Sequence, residues 1–379
     1  MMKVLVCVRK ISAGGAETLE SRLAVELNRI GIEADILSQY SLGYLDSTAD
    51  AEYWKGKGVH NILWLEANSS SRIPMAVMRL VKLIKQHKYA YVITSNTGLD
   101  TIAALARIFV NFKHVVALHD YPHQSVTGSR RFKMWKSLIV RKLFKAYSIS
   151  EFVKKENLKY LNIAPGKIEN VYNSIDQESF KNEHLTDPVV IQKLNAIEGK
   201  KLLFIGRLVK RKGIDTLLEL LARLPGHVSL VIAGDSFDKA LEEGAANYRD
   251  EIISMINKHQ LQSRVVLLGQ CKGIYDIMLE CDVMVHLPKH EGFGLVLLEA
   301  FAAHLPIVTV NVGGIPEVIK DTGYEAIDPN DKDALLAEIN RMLNLDDVEL
   351  KHITDLAYNK LDYFSDKRRA KEIASKIFI

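Results

Sequence analysis

Two glutamates, Glu291 and Glu299, stand eight residues apart in HLPKHEGFGLVLLEAFAAHLP (286–306), with Gly292, Phe293 and Gly294 directly after the first. Paired carboxylates suit the acid and base of a hydrolase; two acids also suit two grips on one polar ligand. If 291–299 were helical throughout, the pair would lie about 12 Å apart along the axis. Glycoside hydrolysis needs about 5–9.5 Å between its carboxyls. The spacing therefore favours two anchors on different parts of an extended ligand. Gly292 and Gly294 let backbone N–H groups approach that ligand, at a helix start that favours negative charge. Glu299, inside the apolar run LVLLEAFAA, requires a partner because buried charge is costly.

A cationic set accompanies these acids. In FIGRLVKRKGIDTLLELLARL (204–224) a strand ends at Gly206, Arg207 and Lys212 follow, and Gly213 precedes a helix. Guanidinium and ammonium together at a strand's carboxyl end suit a diphosphate. With Lys210 and Arg211 between them, a solvated basic turn is the plain alternative. Near the start, VRKISAGGAETLE (8–20) sets Gly14 and Gly15 between the first strand and its helix. This is not GxGxxG, and Asp35 lies inside the second strand, so a dinucleotide fingerprint is weak. A tight turn presenting amides to a cleft is the expected use.

VVALHDYPH (115–123) puts His119, Asp120 and His123 directly after a strand, as metal ligands, acid/base groups or a polar loop. The absence of HExxH spacing disfavours metal, and His119 is the expected cleft residue. Asp331-Lys332-Asp333 reads literally as DxD, but at the start of a helix pattern it is expected to cap. There is no Walker A lysine, GxSxG elbow or cysteine-nucleophile signature.

The elements that must position these groups alternate. KVLVCV (3–8), EADIL (33–37), NILWL (61–65), AYVITS (90–95), HVVAL (114–118) and AYSIS (146–150) read as strands separated by amphipathic helices such as AETLESRLAVELNRIG (16–31). The pattern lapses into a polar, strandless linker near 176–200. It restarts with KLLFIG (201–206), VSLVIAG (228–234), RVVLLG (264–269), DVMVHL (282–287) and PIVTVN (306–311). Such alternation implies parallel sheets wrapped by helices, and 379 residues imply two domains. Their cleft is the expected site. The last stretch, SDKRRAKEIASKIFI (365–379), is a helix pattern with Ile373, Ile377 and Ile379 on one side.

Composition, 48% apolar and 25% charged, is that of a globular protein. No apolar run reaches the roughly 18–20 residues that span a bilayer, and MMKVLVCVRK lacks a signal-peptide layout. Cys7, Cys271 and Cys281 are scattered, which suits a reducing cytosol and signals neither zinc nor disulfide. Charge is uneven: residues 1–180 carry 25 Lys+Arg against 16 Asp+Glu, and 72–159 carry 17 against 4. In SRRFKMWKSLIVRKLFKAY (129–147), Arg130, Arg131, Lys133 and Lys136 interleave with Phe132 and Trp135; IPMAVMRLVKLIKQHK (73–88) is similar. These basic amphipathic helices are expected to meet an anionic membrane or acceptor. No nucleic-acid recognition motif accompanies them.

GRLVKRKG (206–213), HLPKHEGFGLVLLEA (286–300) and VGGIPEVI (312–319), with GGAE (14–17) and SISEFVKKENLKYLNIAPGKIENVYNSID (148–176) in order, resemble the retaining glycosyltransferases of family 4 over essentially the whole chain. The resemblance implies a GT-B fold, an α/β architecture of two Rossmann-like parallel-sheet domains facing across a cleft. It implies an acceptor-binding domain at 1–177, a nucleotide-sugar-binding domain at 178–360 and a C-terminal helix, 361–379, crossing back to the first domain. By resemblance, Arg207 and Lys212 hold the donor diphosphate beside Gly206 and stabilise the leaving group. Glu291 binds donor-sugar hydroxyls, aided by amides of Gly292, Phe293 and Gly294. Glu299 takes the ribose hydroxyls, Gln270 lies toward the base, His119 near the anomeric centre and Gly15 near the diphosphate and acceptor.

The implied reaction moves a sugar from a nucleoside-diphosphate-sugar, UDP- in preference to GDP-, with retention and without an obligatory metal or cofactor. No carboxylate stands out as a nucleophile, which points to front-face attack by the acceptor. The implied acceptor is a glycan or lipid-linked sugar of cell-surface polysaccharide or lipopolysaccharide, met from the cytoplasm at the inner face of the membrane. Nucleic acid is not an expected partner. A GT-B phosphorylase, a sugar-nucleotide epimerase and a catalytically silent membrane- or glycan-binding relative are the alternatives. Asn173-Ser174 stands where the family often has Asn-Gly, and Lys289-His290 where it often has serine and an aromatic.

Overall fold

A strand covered by helices on both faces must be apolar on both sides. The first strand, β1 (Lys3–Val8), meets that demand: Val4, Val6 and Val8 enter one buried cluster, Leu5 and Cys7 another. The computed structural model describes residues 2–12, 14–122, 130–182, 186–235 and 245–379. The chain divides into two compact units, Met1–Ser174 with Phe364–Ile379, and Ile175–Tyr363.

In the first unit β1 is joined by β2 (Glu33–Ser38), β3 (Ile62–Trp64), β4 (Tyr91–Thr94), β5 (Lys113–Leu118), β6 (Lys145–Ser148) and β7 (Ile168–Asn170). All pairings are parallel, in the order β3-β2-β1-β4-β5-β6-β7. The second unit holds β8 (Lys200–Ile205), β9 (Val228–Ala233), β10 (Val265–Gly269), β11 (Val283–His286), β12 (Ile307–Val310) and β13 (Ala326–Ile327). Its order, β10-β9-β8-β11-β12-β13, is again all parallel. Each sheet therefore reverses direction of growth beside its first strand, between β1 and β4 and between β8 and β11. Ligands of such sheets bind outside the carboxyl ends of the strands at that reversal.

Two strands escape the sequence pattern. β7 (IEN) and β13 (AI) are edge strands too short for alternation to register. The stretch 176–200 is not featureless: it carries helices Gln177–Asn182 and Pro188–Asn195. The second starts with Pro188 behind an Asp187 cap that accepts from Val189 N at 2.9 Å, a combination that suits a helix start.

Helix Asp366–Ile377 packs on helix Gly15–Arg29 of the first unit, burying Ala370, Ile373 and Ile377 in the cluster that holds Leu23 and Leu27. Ile379, expected on the same face, is instead 70% exposed, because the helix ends at Ile377. Ser174 Oγ donates to Asp366 Oδ1 (2.5 Å), whose other oxygen lies 3.1 Å from Arg22 Nε. The helix is thus pinned at its first turn by charge and along its length by apolar burial. Truncating a fully buried isoleucine costs about 2–5 kcal/mol, so Ile373→Ala should lower the unfolding free energy by an amount in that range and move the urea midpoint down accordingly. An unchanged midpoint would show that this helix contributes nothing to the first unit.

Candidate functional site

The two halves of the acidic and basic set sit on the loops that leave β8 and β11, the adjacent strands at the reversal of the second sheet. Gly206 ends β8 at φ +146°, donating its N–H to Ala233 O at 3.0 Å. Gly234 passes so close that a Cβ there would stand 1.9 Å from Gly206 O. The chain then turns through Lys210–Lys212 and reaches Gly213 at φ +74°, where a Cβ would fall 1.9 Å from Leu287 O. Lys289 N donates to Arg211 O at 2.7 Å. Only a glycine lets the two loops lie this close, and the closeness brings their side chains together.

The result is a short ion pair: Lys212 Nζ lies 2.7 Å from Glu291 Oε2, with both side chains about 15% exposed (16% and 14%). His286, the last residue of β11, is buried behind it, Nε2 3.4 Å from the same oxygen. Burial alone would raise the Glu291 carboxyl, but the His286 imidazole and the Lys212 charge hold it well below the usual carboxylate range. Burial lowers His286 in turn, so its ring is neutral at neutral pH. Behind the pair, Gly314 N donates to Glu291 O at 3.3 Å, and a Cβ on Gly313 would lie 1.7 Å from that oxygen. The glycines of VGGIPEVI are therefore a rest for the Glu291 backbone.

The helix after Glu291 begins only at Leu295, behind Gly294 at φ +92°, and ends at Ala302. Glu291 thus belongs to the glycine-bearing loop ahead of the helix start, as the sequence reads, and Glu299 is half-buried within the helix. The Phe293 side chain is 1% exposed, leaving its backbone as the part able to meet a ligand. Arg207 is exposed just beyond β8, and Gln270 exposed just beyond β10. Gly292 is buried beside Glu291. Asp331 of the DxD accepts from Ala334 N at 2.9 Å as a helix cap, while Asp333 meets Arg223 at 2.5 Å. Among the described residues no group of three or more His, Cys, Asp or Glu could hold a metal ion.

The first unit has a cluster of its own. Gly14 and Gly15 open helix Gly15–Arg29, and the loop before them is tied down by Asp46, whose Oδ1 accepts from Ile11 N (2.8 Å) and Ser12 N (3.2 Å). His119 follows β5 directly, its side chain 12% exposed and Nε2 3.0 Å from Glu20 Oε1. Glu20 is fully buried. It also meets Arg369 Nη2 of the C-terminal helix and accepts from the Tyr147 hydroxyl of β6 at 2.5 Å. Burial would raise this carboxyl, but the Arg369 charge and the His119 and Tyr147 contacts bring it down to about 2. Asp120 Oδ1 accepts from Tyr121 N, and His123 lies outside the described residues.

In the basic helix Arg130–Lys142, Arg130 and Lys133 are exposed, whereas Trp135 and Lys136 are half-buried; the Arg131 side chain lies outside the described set. His286, Glu20, Tyr147, Arg369 and Asp46 carried no expectation. Only His286 had a local signal, its place at a strand's end five residues before Glu291.

Residues 13–179 match the model described as Glycosyltransferase Family 4, and residues 190–360 the one described as Glycosyl transferases group 1. The chain is a two-domain glycosyltransferase related to these families. The Anabaena HepE crystal structure in complex with UDP-glucose has the same GT-B fold, with a TM-score of 0.82, 20% identity and complete coverage of both chains. A Campylobacter jejuni 4-alpha-N-acetylgalactosaminyltransferase, named for N-acetylgalactosamine-N,N'-diacetylbacillosaminyl-diphospho-undecaprenol, is 28% identical over 69% of this chain and 71% of its own. The Saccharomyces cerevisiae phosphatidylinositol N-acetylglucosaminyltransferase GPI3 subunit is 27% identical over 60% of this chain. The match spans half the length of that yeast glycosyltransferase.

The Glu20 cluster has a pH signature. Its folded-state pKa lies below the ordinary 4.5, so its stabilisation is present above about pH 4.5 and lost as pH falls toward 2. Glu20→Gln should cost about 3 kcal/mol at pH 6, and the gap to wild type should shrink at pH 3. Urea midpoints at the two pH values measure it; a gap independent of pH would remove Glu20 as a buried anion.

Proposed function

We propose that this chain is a retaining glycosyltransferase that moves a sugar from a UDP-sugar to a lipid-linked acceptor at a membrane surface. The observation that carries the reading is the Lys212–Glu291 pair at the strand-order reversal of the second sheet. An anionic carboxylate and an ammonium 2.7 Å apart offer a sugar's hydroxyls an acceptor and a diphosphate a cation within one ligand's reach. Lys212 and Arg207 take the diphosphate and stabilise the charge that develops on it as the glycosidic bond breaks. Glu291, kept ionised, accepts from hydroxyls of the donor sugar; Glu299 takes the ribose and Gln270 lies toward the base. Amides of Gly292 to Gly294 and Gly206 line the same loops, while Gly15 and His119 serve the acceptor side. The acceptor hydroxyl attacks from the face the diphosphate leaves, handing its proton to the departing phosphate, so the anomeric configuration is retained. UDP is favoured because the HepE structure was solved with UDP-glucose.

A lipid-linked acceptor is supported by two relatives named for lipid-borne substrates and by the surface of the first unit. Helices Ile73–His87 and Arg130–Lys142 both pack on helix Thr97–Ala106. Met75 and Met78 (55% each), Ile108 (61%), Phe109 (55%) and Met134 (74%) stand exposed among Arg79, Lys82, Arg107 and Lys133. Apolar side chains in a basic field suit an anionic bilayer. No helix among the described residues is long and apolar enough to cross a membrane.

Nucleotide-sugars should be screened by thermal shift and the stabilising donor followed by product release. Glu291→Ala should reduce transfer at least about 100-fold with the fold intact; turnover like wild type would take Glu291 out of the site. Charge reversal of Arg130, Arg131, Lys133 and Lys136 should weaken cosedimentation with phosphatidylglycerol vesicles, as should added salt. Equal binding to neutral vesicles would exclude electrostatic docking.

A further inference from the structure

A carboxylate with no access to solvent is expensive, and an apolar pair of the same volume often packs as well or better. Glu20 and Arg369 are nonetheless both buried to the last percent, one on helix Gly15–Arg29 and one on the C-terminal helix. Both Glu20 oxygens accept hydrogen bonds, Oε2 from the Tyr147 hydroxyl and Oε1 from Arg369, and His119 Nε2, buried and without a hydrogen-bond partner of its own, lies 3.0 Å from Oε1 at ion-pair distance but off hydrogen-bond alignment. Arg369 is held in its turn, Nη1 donating to Leu19 O at 3.2 Å and the guanidinium lying 5.6 Å from the Tyr147 ring centre. Of the four residues only His119 reaches the surface, at the start of the loop that leaves β5. The other three form a rigid buried mount whose exposed product is the orientation of one imidazole.

We propose that Glu20 is the positioning residue of His119, fixing Nε2 as the ring's inward, protonated nitrogen, and that Arg369 and Tyr147 hold the Glu20 carboxylate in place for that purpose. An imidazole so held presents Nδ1 as its acceptor. The C-terminal helix is thereby a part of the site, since its docking delivers Arg369. This inference rests on the proposed sugar transfer only for its kinetic consequence; the orientation of His119 is a property of the folded chain alone.

The test is the nitrogen spectrum of the full chain labelled with 15N-histidine, with His119 assigned by its loss in His119→Gln. In wild type, at a pH where the spectrum itself shows the ring neutral, the His119 signals should be those of the Nε2–H tautomer. In Glu20→Gln, whose amide can either donate or accept, they should move toward a mixture of tautomers. Turnover of the stabilising nucleotide-sugar should fall about ten-fold with the donor KM changed less than about two-fold. His119 signals unmoved in a folded Glu20→Gln protein would overturn the inference, whatever the activity. If no nucleotide-sugar is turned over by wild type, the transfer reading fails while the spectra still decide this one. Should Glu20→Gln not fold, Tyr147→Phe removes one donor from the same carboxylate. The His119 signals should then shift in the same direction, and their constancy would overturn the inference equally.

Discussion

Every strand in both sheets runs parallel to its neighbours, so each chain segment that leaves a strand does so from the same edge of its sheet. That constraint decides where chemistry can sit. The loops after β8 and β11 emerge side by side because those strands are adjacent, although 78 positions separate Ile205 from Val283. Adjacent emergence alone would leave their side chains several ångströms apart. Gly213 against Leu287 O and Gly313 against Glu291 O close that gap, each at a positive φ that a side chain would strain. The ion pair between Lys212 and Glu291 is a product of backbone contact between loops, which is why glycines recur through all three segments that frame it.

Three buried carboxylates show how the fold sorts acids by their surroundings. Asp100 is buried with the Thr94 hydroxyl at 2.6 Å; burial takes it up to about 7, and Thr94 pulls the other way without cancelling it. Glu20 has an arginine, a phenol and an imidazole, and stays an anion down to about pH 2. Glu291 has a lysine and a buried imidazole, and it too is held low. Hydrogen bonding alone leaves an acid close to neutral in the interior, whereas a cation in contact keeps it charged. Glu20 and Glu291 differ in access: the first is sealed, the second keeps part of its surface open. A sealed anion can act only through its neighbours; an open one can act on a ligand.

The same distinction explains what could be read from the chain in advance. Lys212 and Glu291 lie in loops whose residue types already announce an anion site and a polar grip, and eleven of thirteen strands follow from apolar runs bounded by turns. Glu20 sits in AETLESRLAVELNRIG, where a glutamate on an amphipathic helix reads as solvated surface. Its partners Tyr147 and Arg369 are 127 and 349 residues away. A local pattern carries no information about contacts at that separation. β7 and β13 were missed for the opposite reason: their pairing is local in space, but three and two residues are too few for alternation to appear. Phe293 was legible as a loop residue that offers its backbone; the inward turn of its ring, 1% exposed, is set by packing that the loop's own residues do not encode.

The Lys212–Glu291 pair also bears on selectivity. In the structure each charge satisfies the other at 2.7 Å, so a ligand that displaces the contact must compensate both. A neutral sugar could offer hydroxyls to Glu291 but would leave Lys212 short of an anion. A nucleoside diphosphate could answer Lys212 but would bring a second negative group toward Glu291, whose carboxyl stays ionised. A ligand that carries a diphosphate and a hydroxylated ring on adjacent atoms resolves both at once, exchanging one ion pair for a new ion pair and a set of charge-assisted hydrogen bonds. Under the proposed donor assignment, the intact nucleotide-sugar is the species the site is built to hold. Either fragment after cleavage meets a site in which one charge has lost its partner, and re-forming the internal pair assists their release.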